Sequence, residues 1–285
     1  MLSKEMIAMS YRSLLVALDA TPANPVRVSI AIALAREFEA HLIGLAPSAT
    51  VELQALQAAA AMDDYVSGAC ATLLAQARAL AQNFHQRCGA AELPSFEALA
   101  DQTPAAQSLA RHAQCADLLI MSQPDPSLPD HRQHAATLEQ VLLRCVRPVL
   151  LIPYTHREPL RTRRVLLAWD GSRESVRAMT DALPLLRRAD NVWLMHWRRD
   201  AEGEAPAERL ACQRQWLALQ GVDAIVREEV TALPIGDALL NAASDTGADL
   251  IVMGAYGHAR WAERLFGGVS RKLLESMTVP VLMSH

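Results

Sequence analysis

The chain carries the same pattern twice. Ala116-Asp117-Leu118-Leu119-Ile120-Met121 returns as Ala248-Asp249-Leu250-Ile251-Val252-Met253, 132 positions later. The same offset lays Arg147-Pro148-Val149-Leu150 on Val279-Pro280-Val281-Leu282. Upstream, Leu15-Val16-Ala17-Leu18-Asp19 is matched by Leu166-Leu167-Ala168-Trp169-Asp170 at an offset of 151, so the first copy holds 19 more residues between its landmarks. The Ala- and Gln-rich stretch Pro47 to Tyr65 is where the excess is expected, as extended helix. A period this long denotes tandem domains and not a solenoid. The 285 residues therefore read as two domains, 1–155 and 160–285, with Tyr154 to Pro159 as a short linker.

Within the second copy, strands and helices alternate. Val165 to Trp169 is a continuous apolar run, as a strand buried on both faces should be. Ser172 to Leu186 has helical spacing, with Pro184 disturbing its end. Strands are then predicted over Val192 to Trp197, Asp223 to Val230, Leu250 to Met253 and Val279 to Met283. Helices are predicted over Ala207 to Gln220, Ile235 to Ser244 and Ser270 to Met277. Alternating β and α with short connections implies an α/β domain. Its parallel sheet is five-stranded and doubly wound, with right-handed crossovers placing helices on both faces.

Composition narrows the class. Half the residues (51%) are hydrophobic but only 5% are aromatic, so the core must be built from Ala, Leu, Val and Ile. A net charge of −4 excludes a bulk electrostatic footprint for nucleic acid. No apolar run approaches the ~20 residues of a membrane span. Lys4, Glu5 and Arg12 interrupt the N-terminus where a signal peptide would need an apolar core. Five scattered cysteines without a C-x-x-C pair fit a reduced, cytoplasmic setting, and Cys115 and Cys145 read as small buried hydrophobes.

The densest local signal is Gly254-Ala-Tyr-Gly257, nine residues, then Gly267-Gly268-Val269-Ser270 opening the last helix. In an open parallel sheet, ligands bind outside the carboxyl ends of the strands, where this segment begins. Glycines there let backbone N–H groups approach an anion, and a helix N-terminus faces the same place. The alternative is that the glycines serve turns and that Ser270 caps the helix. Neither a Walker A loop nor the dinucleotide-binding glycine spacing is present.

Both halves resemble the universal stress protein family, and the whole looks like a tandem two-domain member. Gly254, Gly257 and Gly267 match the glycines of the family's nucleotide-binding pattern G-x2-G-x9-G-(S/T). Gly268 departs from it, standing where Ser or Thr is usual, and Ser270 matches the second hydroxyl position. Asp170 matches the first-strand carboxylate. The resemblance implies two Rossmann-like domains of the adenine nucleotide α-hydrolase-like kind, with ATP (or ADP or AMP), alone or with Mg2+, held in the second. Ala168, Trp169 and Asp170 would then lie near the adenosine, Trp197 would border the base, and Met253 and Gly254 would meet the ribose. Gly257, Gly267, Gly268, Val269 and Ser270 would cradle phosphates. His258, directly after Gly257, either meets a phosphate when protonated or is an exposed loop histidine. In the first half, the counterparts Ser122, Asp125, Ala135, Ala136 and Leu138 lack that cradle, so a nucleotide is not expected there.

The resemblance further implies an intrachain pseudo-dimer through Val149 to Ile152 and Val281 to Met283, and leaves a further homodimer open. No catalytic or metal-ligating set emerges. His131 and His134 read as surface histidines, His196 as a satisfied core histidine, and Arg157 to Arg164 as a solvated linker. Trp261 and Phe266 would anchor the nine-residue loop, where Arg260 and Arg264 approach phosphates or a partner. The expected function is a cytoplasmic nucleotide-binding regulator of a stress response acting on an unidentified protein partner. The alternatives are a nucleotide-free interaction module and a slow ATP-hydrolysing enzyme.

Overall fold

The computed structural model describes residues 10–49, 64–198, 207–255 and 268–285. The chain divides into two compact units, with the boundary between Val149 and Leu150. In the first half the order is β1 (Ser13–Ala17), α1 (Asn24–Phe38), β2 (His41–Ala49), α2 (Asp64–Ala90), β3 (Phe96–Pro104), α3 (Ala105–Ala113), β4 (Leu118–Ser122) and α4 (His131–Arg144), with β5 (Val149–Ile152), the last strand of the first repeat, starting at the boundary. In the second half it is β6 (Arg164–Ala168), α5 (Arg173–Asp181), α6 (Leu183–Leu186), β7 (Asn191–Arg198), α7 (Ala207–Leu219), β8 (Ala224–Val230), α8 (Ile235–Asp245), β9 (Leu250–Gly254), α9 (Gly268–Ser276) and β10 (Val281–Ser284).

Each half follows one plan. The strands lie in the order β3-β2-β1-β4-β5 and, in the second copy, β8-β7-β6-β9-β10. The pairs β1–β2, β1–β4 and β2–β3 are parallel, as are β6–β7, β6–β9, β7–β8 and β9–β10. The chain therefore reverses its winding beside the first strand of each half, which opens a crevice at the carboxyl ends of the central strands. The central strands are apolar without alternation. Leu14, Leu15, Val16, Leu118, Leu119 and Ile120 are fully buried, and so are Val165, Leu166, Leu167, Leu250 and Ile251. Strands covered by helices on both faces require this.

The aspartate of the repeated string has a structural role. Arg12 N–H and Ser13 N–H donate to the Asp117 carboxylate at 2.6 and 3.0 Å, and Arg164 N–H donates to Asp249 at 2.9 Å. Each aspartate thus holds the amino-terminal end of the first strand of its own half, at the edge remote from the crevice. The repeated Ala-Asp-Leu marks this tether and not chemistry.

The first copy's extra length appears partly in α2, which runs 27 residues against 13 in its counterpart α7. The remainder of the expected helical stretch, residues 50–63, lies outside the described residues. α2 packs onto β2 through Phe84, whose ring lies against Gly44. A Cβ at Gly44 would stand 2.5 Å from Phe84 Cδ1.

The structure corrects several sequence expectations. The helix expected over Ser172 to Leu186 breaks at Ala182 into α5 and α6, with Pro184 in the first turn of the second piece. A proline is tolerated there because a first-turn N–H has no helical partner to lose. β6 ends at Ala168, so Trp169 lies beyond the strand, and β10 begins two residues late, at Val281. Cys115 is exposed, since it ends the turn after α3 instead of facing the sheet, while Cys145 is buried as expected.

Asp101 on β3 organises one polar cluster. It accepts hydrogen bonds from Ser108 and Thr103 and pairs with Arg111 at 2.7 Å. Burial pushes its carboxyl up, but these hydrogen bonds and the Arg111 charge more than offset that and hold it below its ordinary 3.8. The unfolded chain therefore binds the proton more readily than the folded one. The stability this cluster supplies is fully present above about pH 4 and is lost as pH falls through the lowered value. Asp101→Asn is expected to flatten the acid limb of a denaturation-versus-pH curve, and an unchanged limb would contradict this.

Candidate functional site

The crevice of the second half is framed by the ends of β6, β7 and β9 and by the start of α9. Asp170 follows β6 and is exposed. Its Oδ1 accepts from Ser172 N–H at 2.9 Å and from the Ser172 hydroxyl at 2.6 Å. The intervening Gly171 has φ +79°, a conformation glycine adopts without strain. Ser172 then caps α5, its hydroxyl accepting from Ser175 N–H at 3.1 Å. The stretch Asp170-Gly171-Ser172 is thus one device that turns the chain from strand to helix and holds the carboxylate at the crevice.

Trp169 is buried, at 4% exposure. Its ring meets His196 edge to face at 5.6 Å, and the Arg209 guanidinium of α7 lies over it at 5.8 Å. His196 Nδ1 stands 2.9 Å from the Trp169 carbonyl, which can only accept, so the proton sits on Nδ1. His196 is therefore a satisfied structural histidine. The Trp169 indole N–H is buried and has no hydrogen-bond partner among the described residues. Trp197 is the penultimate residue of β7, and its indole N–H donates to Glu229 at 2.9 Å. That edge is committed to the neighbouring strand, and only the ring is left to border a ligand.

Met253 is buried and Gly254 ends β9. A Cβ on Gly254 would stand 2.6 Å from Ser175 N and 2.7 Å from the Glu174 carbonyl carbon. The glycine is therefore required by the helix lying against it. Glu174 itself is buried in the first turn of α5. Burial pushes its carboxyl up, while the Arg173 hydrogen bond and the nearby charges of Arg173 and His285 bring it below its ordinary value. Gly257, His258 and Gly267, with Arg260, Trp261, Arg264 and Phe266, lie outside the described residues.

α9 begins at Gly268, two residues before the predicted start. Gly268 and Val269 thus belong to its first turn, where backbone N–H groups have no helical acceptor. Ser270, at 3% exposure, is buried in the same turn. Among the described residues, no group of three His, Cys, Asp or Glu side chains is placed to hold a metal. The structure thus brings Ala168, Trp169 and Asp170 to one crevice edge with Gly254, and gives Gly268, Val269 and Ser270 to one helix start. Two of the groups fit a bound adenine nucleotide in kind: a buried indole, and helix-end donors for anionic oxygens.

In the first half, Thr21 repeats the turn that Ser172 makes. Its N–H donates to Asp19 Oδ1 at 2.9 Å. Arg27, at 1% exposure, then fills the space behind it. Its guanidinium donates to the Ala17 carbonyl and the Ser122 hydroxyl, both at 2.8 Å, to Asp19 at 2.7 Å and to Asn24 at 3.0 Å. Burial pushes the Asp19 carboxyl up, and the Arg27 charge and Thr21 hydrogen bonds hold it below its ordinary value all the same. Ser122 stands where the second half has Gly254. A cavity of about 750 Å³ opens at the carboxyl ends of β1, β2 and β4. Arg27, Arg209 and Glu174 were not singled out by the sequence reading. The signal for Arg27 was an arginine on the apolar face of α1.

Residues 161–285 match the Universal stress protein family. No curated protein sequence matches the chain. A universal stress protein from Archaeoglobus fulgidus DSM 4304 is similar in structure, with a TM-score of 0.71 at 16% identity over 95% of each chain. So is a functionally unknown protein from Pseudomonas aeruginosa PAO1, with a TM-score of 0.60 at 17% identity over 99% of this chain and 94% of that one. At such identities the likeness is one of fold. The second half of the chain, residues 161–285, is therefore a universal stress protein domain, carried in a chain with the two-domain α/β fold of its structural relatives.

Proposed function

We propose that the second half binds one adenine nucleotide, ATP or its di- or monophosphate, and that the chain works as a cytoplasmic regulatory module and not as an enzyme. The observation that carries this is the glycine pattern within the family match. Its first glycine ends β9, and its last positions open α9 with Gly268, Val269 and the buried Ser270. Backbone N–H groups at a helix start suit phosphate oxygens, and the Trp169 indole N–H is a buried donor without an acceptor among the described residues. Gly268 supplies an N–H but no hydroxyl, a loss of about 1 kcal/mol if one neutral hydrogen bond is missing. Binding is then weaker than with a hydroxyl there, but retained. Mg2+, where present, would be carried by the phosphates, not by a protein site.

Chromatography of small molecules released from denatured protein tests this. Near one adenine nucleotide per chain, or calorimetric binding of added ATP, is expected. Gly257→Val is expected to weaken ATP binding by about tenfold or more. No released nucleotide and no heat at millimolar ATP would remove the proposal. That outcome would favour a second reading, a nucleotide-free interaction module. Leu219, Ile225, Val230 and Leu233, exposed on and around the edge strand β8, favour it.

A further inference from the structure

The first-half cavity has no part in the nucleotide reading. Its base is set by Leu18 and Met121 at the ends of β1 and β4. One wall is a stripe on α2 at helical spacing, Leu73, Ala77 and Leu80. α2 is the helix that is longer in this half, with 27 residues against 13 in α7. The exposed amides Gln76 and Asn83 on the same helix line the opening. A volume of about 750 Å³ is that of a typical small-molecule pocket, and such pockets are lined mostly by apolar groups with a few polar ones.

The charges in the walls decide what can enter. The Arg27 guanidinium is turned inward, donating to four oxygens of its own half, and its charge is balanced by Asp19. Asp125 accepts from Ser127 N–H and Oγ, and His134 lies 3.5 Å from Asp130. Among the described lining residues one guanidinium is thus set against two carboxylates, and that guanidinium is already paired with Asp19. Asp125 also stands where the second half has Gly257.

We propose that this cavity is a binding site for an uncharged small molecule with an apolar body and one or two hydrogen-bonding groups, filled independently of any nucleotide in the second half. The apolar body lies against the α2 stripe, and its polar end meets the amides at the opening.

Fluorescence titration of the intact chain with two related dyes tests this. Uncharged N-phenyl-naphthylamine is expected to bind at one saturable site per chain. Its sulfonated analogue, anilinonaphthalene sulfonate, is expected to bind about tenfold more weakly or worse. Millimolar ATP and Gly257→Val leave the uncharged dye's affinity unchanged. Ala77→Trp places an indole in the cavity wall and is expected to lower that affinity by about tenfold or more. Asp125→Lys, at a half-exposed position that leaves the core intact, brings the sulfonate's affinity up to about that of the uncharged dye. The proposal is overturned if the uncharged dye fails to bind, or if the sulfonate binds as well in the unaltered chain. Displacement of the dye by ATP, or its loss in Gly257→Val, would place it in the second half and also overturn it. If Ala77→Trp does not fold, as judged by circular dichroism, Asp125→Lys decides alone, and unaltered sulfonate binding rejects the site.

Discussion

Gly254→Val is expected to lower the stability of the nucleotide-free protein by about 3 kcal/mol, at the upper end of overpacking costs. The reason is the identity of the atoms in the way. A Cβ at this position would lie 2.6 Å from Ser175 N and 2.7 Å from the Glu174 carbonyl carbon, which are backbone atoms of the first turn of α5. A side chain could rotate aside, but a helix start cannot. The whole of α5 would have to withdraw from β9, uncovering Ala178 and Met179, which are now buried at 0% and 2% exposure. For a chain of this size, that corresponds to a fall in melting temperature of about 5–10 °C. Truncating Glu174 to alanine should not restore it, because the obstruction is backbone. An unchanged melting temperature in the absence of nucleotide would mean that packing does not require this glycine, leaving only a ligand to explain it.

This separates two meanings of one motif. In sequence, Gly254 could be read as a ligand-approach glycine, beside the ribose, or as punctuation. The structure adds a third role, packing of α5, that spacing alone could not disclose. The fold itself was legible because each half repeats the same apolar strands with helices between, and a strand buried on both faces leaves an unmistakable continuous run. Boundaries were less legible where a polar device overrides hydrophobicity. Trp169 looks like the last residue of a strand, but the Asp170-Gly171-Ser172 turn has already begun to bend the chain. Cys115 sits among apolar neighbours in sequence and yet ends a turn at the surface. Asp117 and Asp249 looked like repeat markers, and only their hydrogen bonds to the first strand of each half show them to be tethers. Of the site residues that escaped the sequence reading, Arg27 and Arg209 act across elements, on Ser122 and Trp169, and only Arg27 left a trace, as an arginine on the apolar face of α1.

Arg27→Ala is the counterpart experiment in the first half and is expected to destabilise it by about 3 kcal/mol. That is the lower end of the cost of breaking a buried ion pair. The Arg27 side chain is 2% exposed, but Asp19 is 37% exposed and can recover water, so the full penalty of a stranded charge does not apply. The Ala17 carbonyl and Ser122 hydroxyl lose their donor, and the space of a guanidinium is vacated. The second half shows how the same plan does without it. There Ala178 stands at the counterpart of Arg27, Gly254 at the counterpart of Ser122, and α5 closes directly onto β9. A large side chain with a serine, or a small one with a glycine, are thus two solutions to one gap between helix and strand. Arg27→Ala combined with Ser122→Gly should therefore cost less than the two single changes added together, since α1 can then move onto β4 as α5 does onto β9. Neighbouring substitutions that share a cavity commonly show such coupling. The pair also predicts a change with pH. Because Asp19 is held below its ordinary value, its contribution is fully present above about pH 4 and fades as pH falls through the lowered value. Arg27→Ala should shrink that acid dependence. Strict additivity in the double variant, measured by denaturant unfolding, would show that helix position in the first half is fixed by something other than this exchange of sizes.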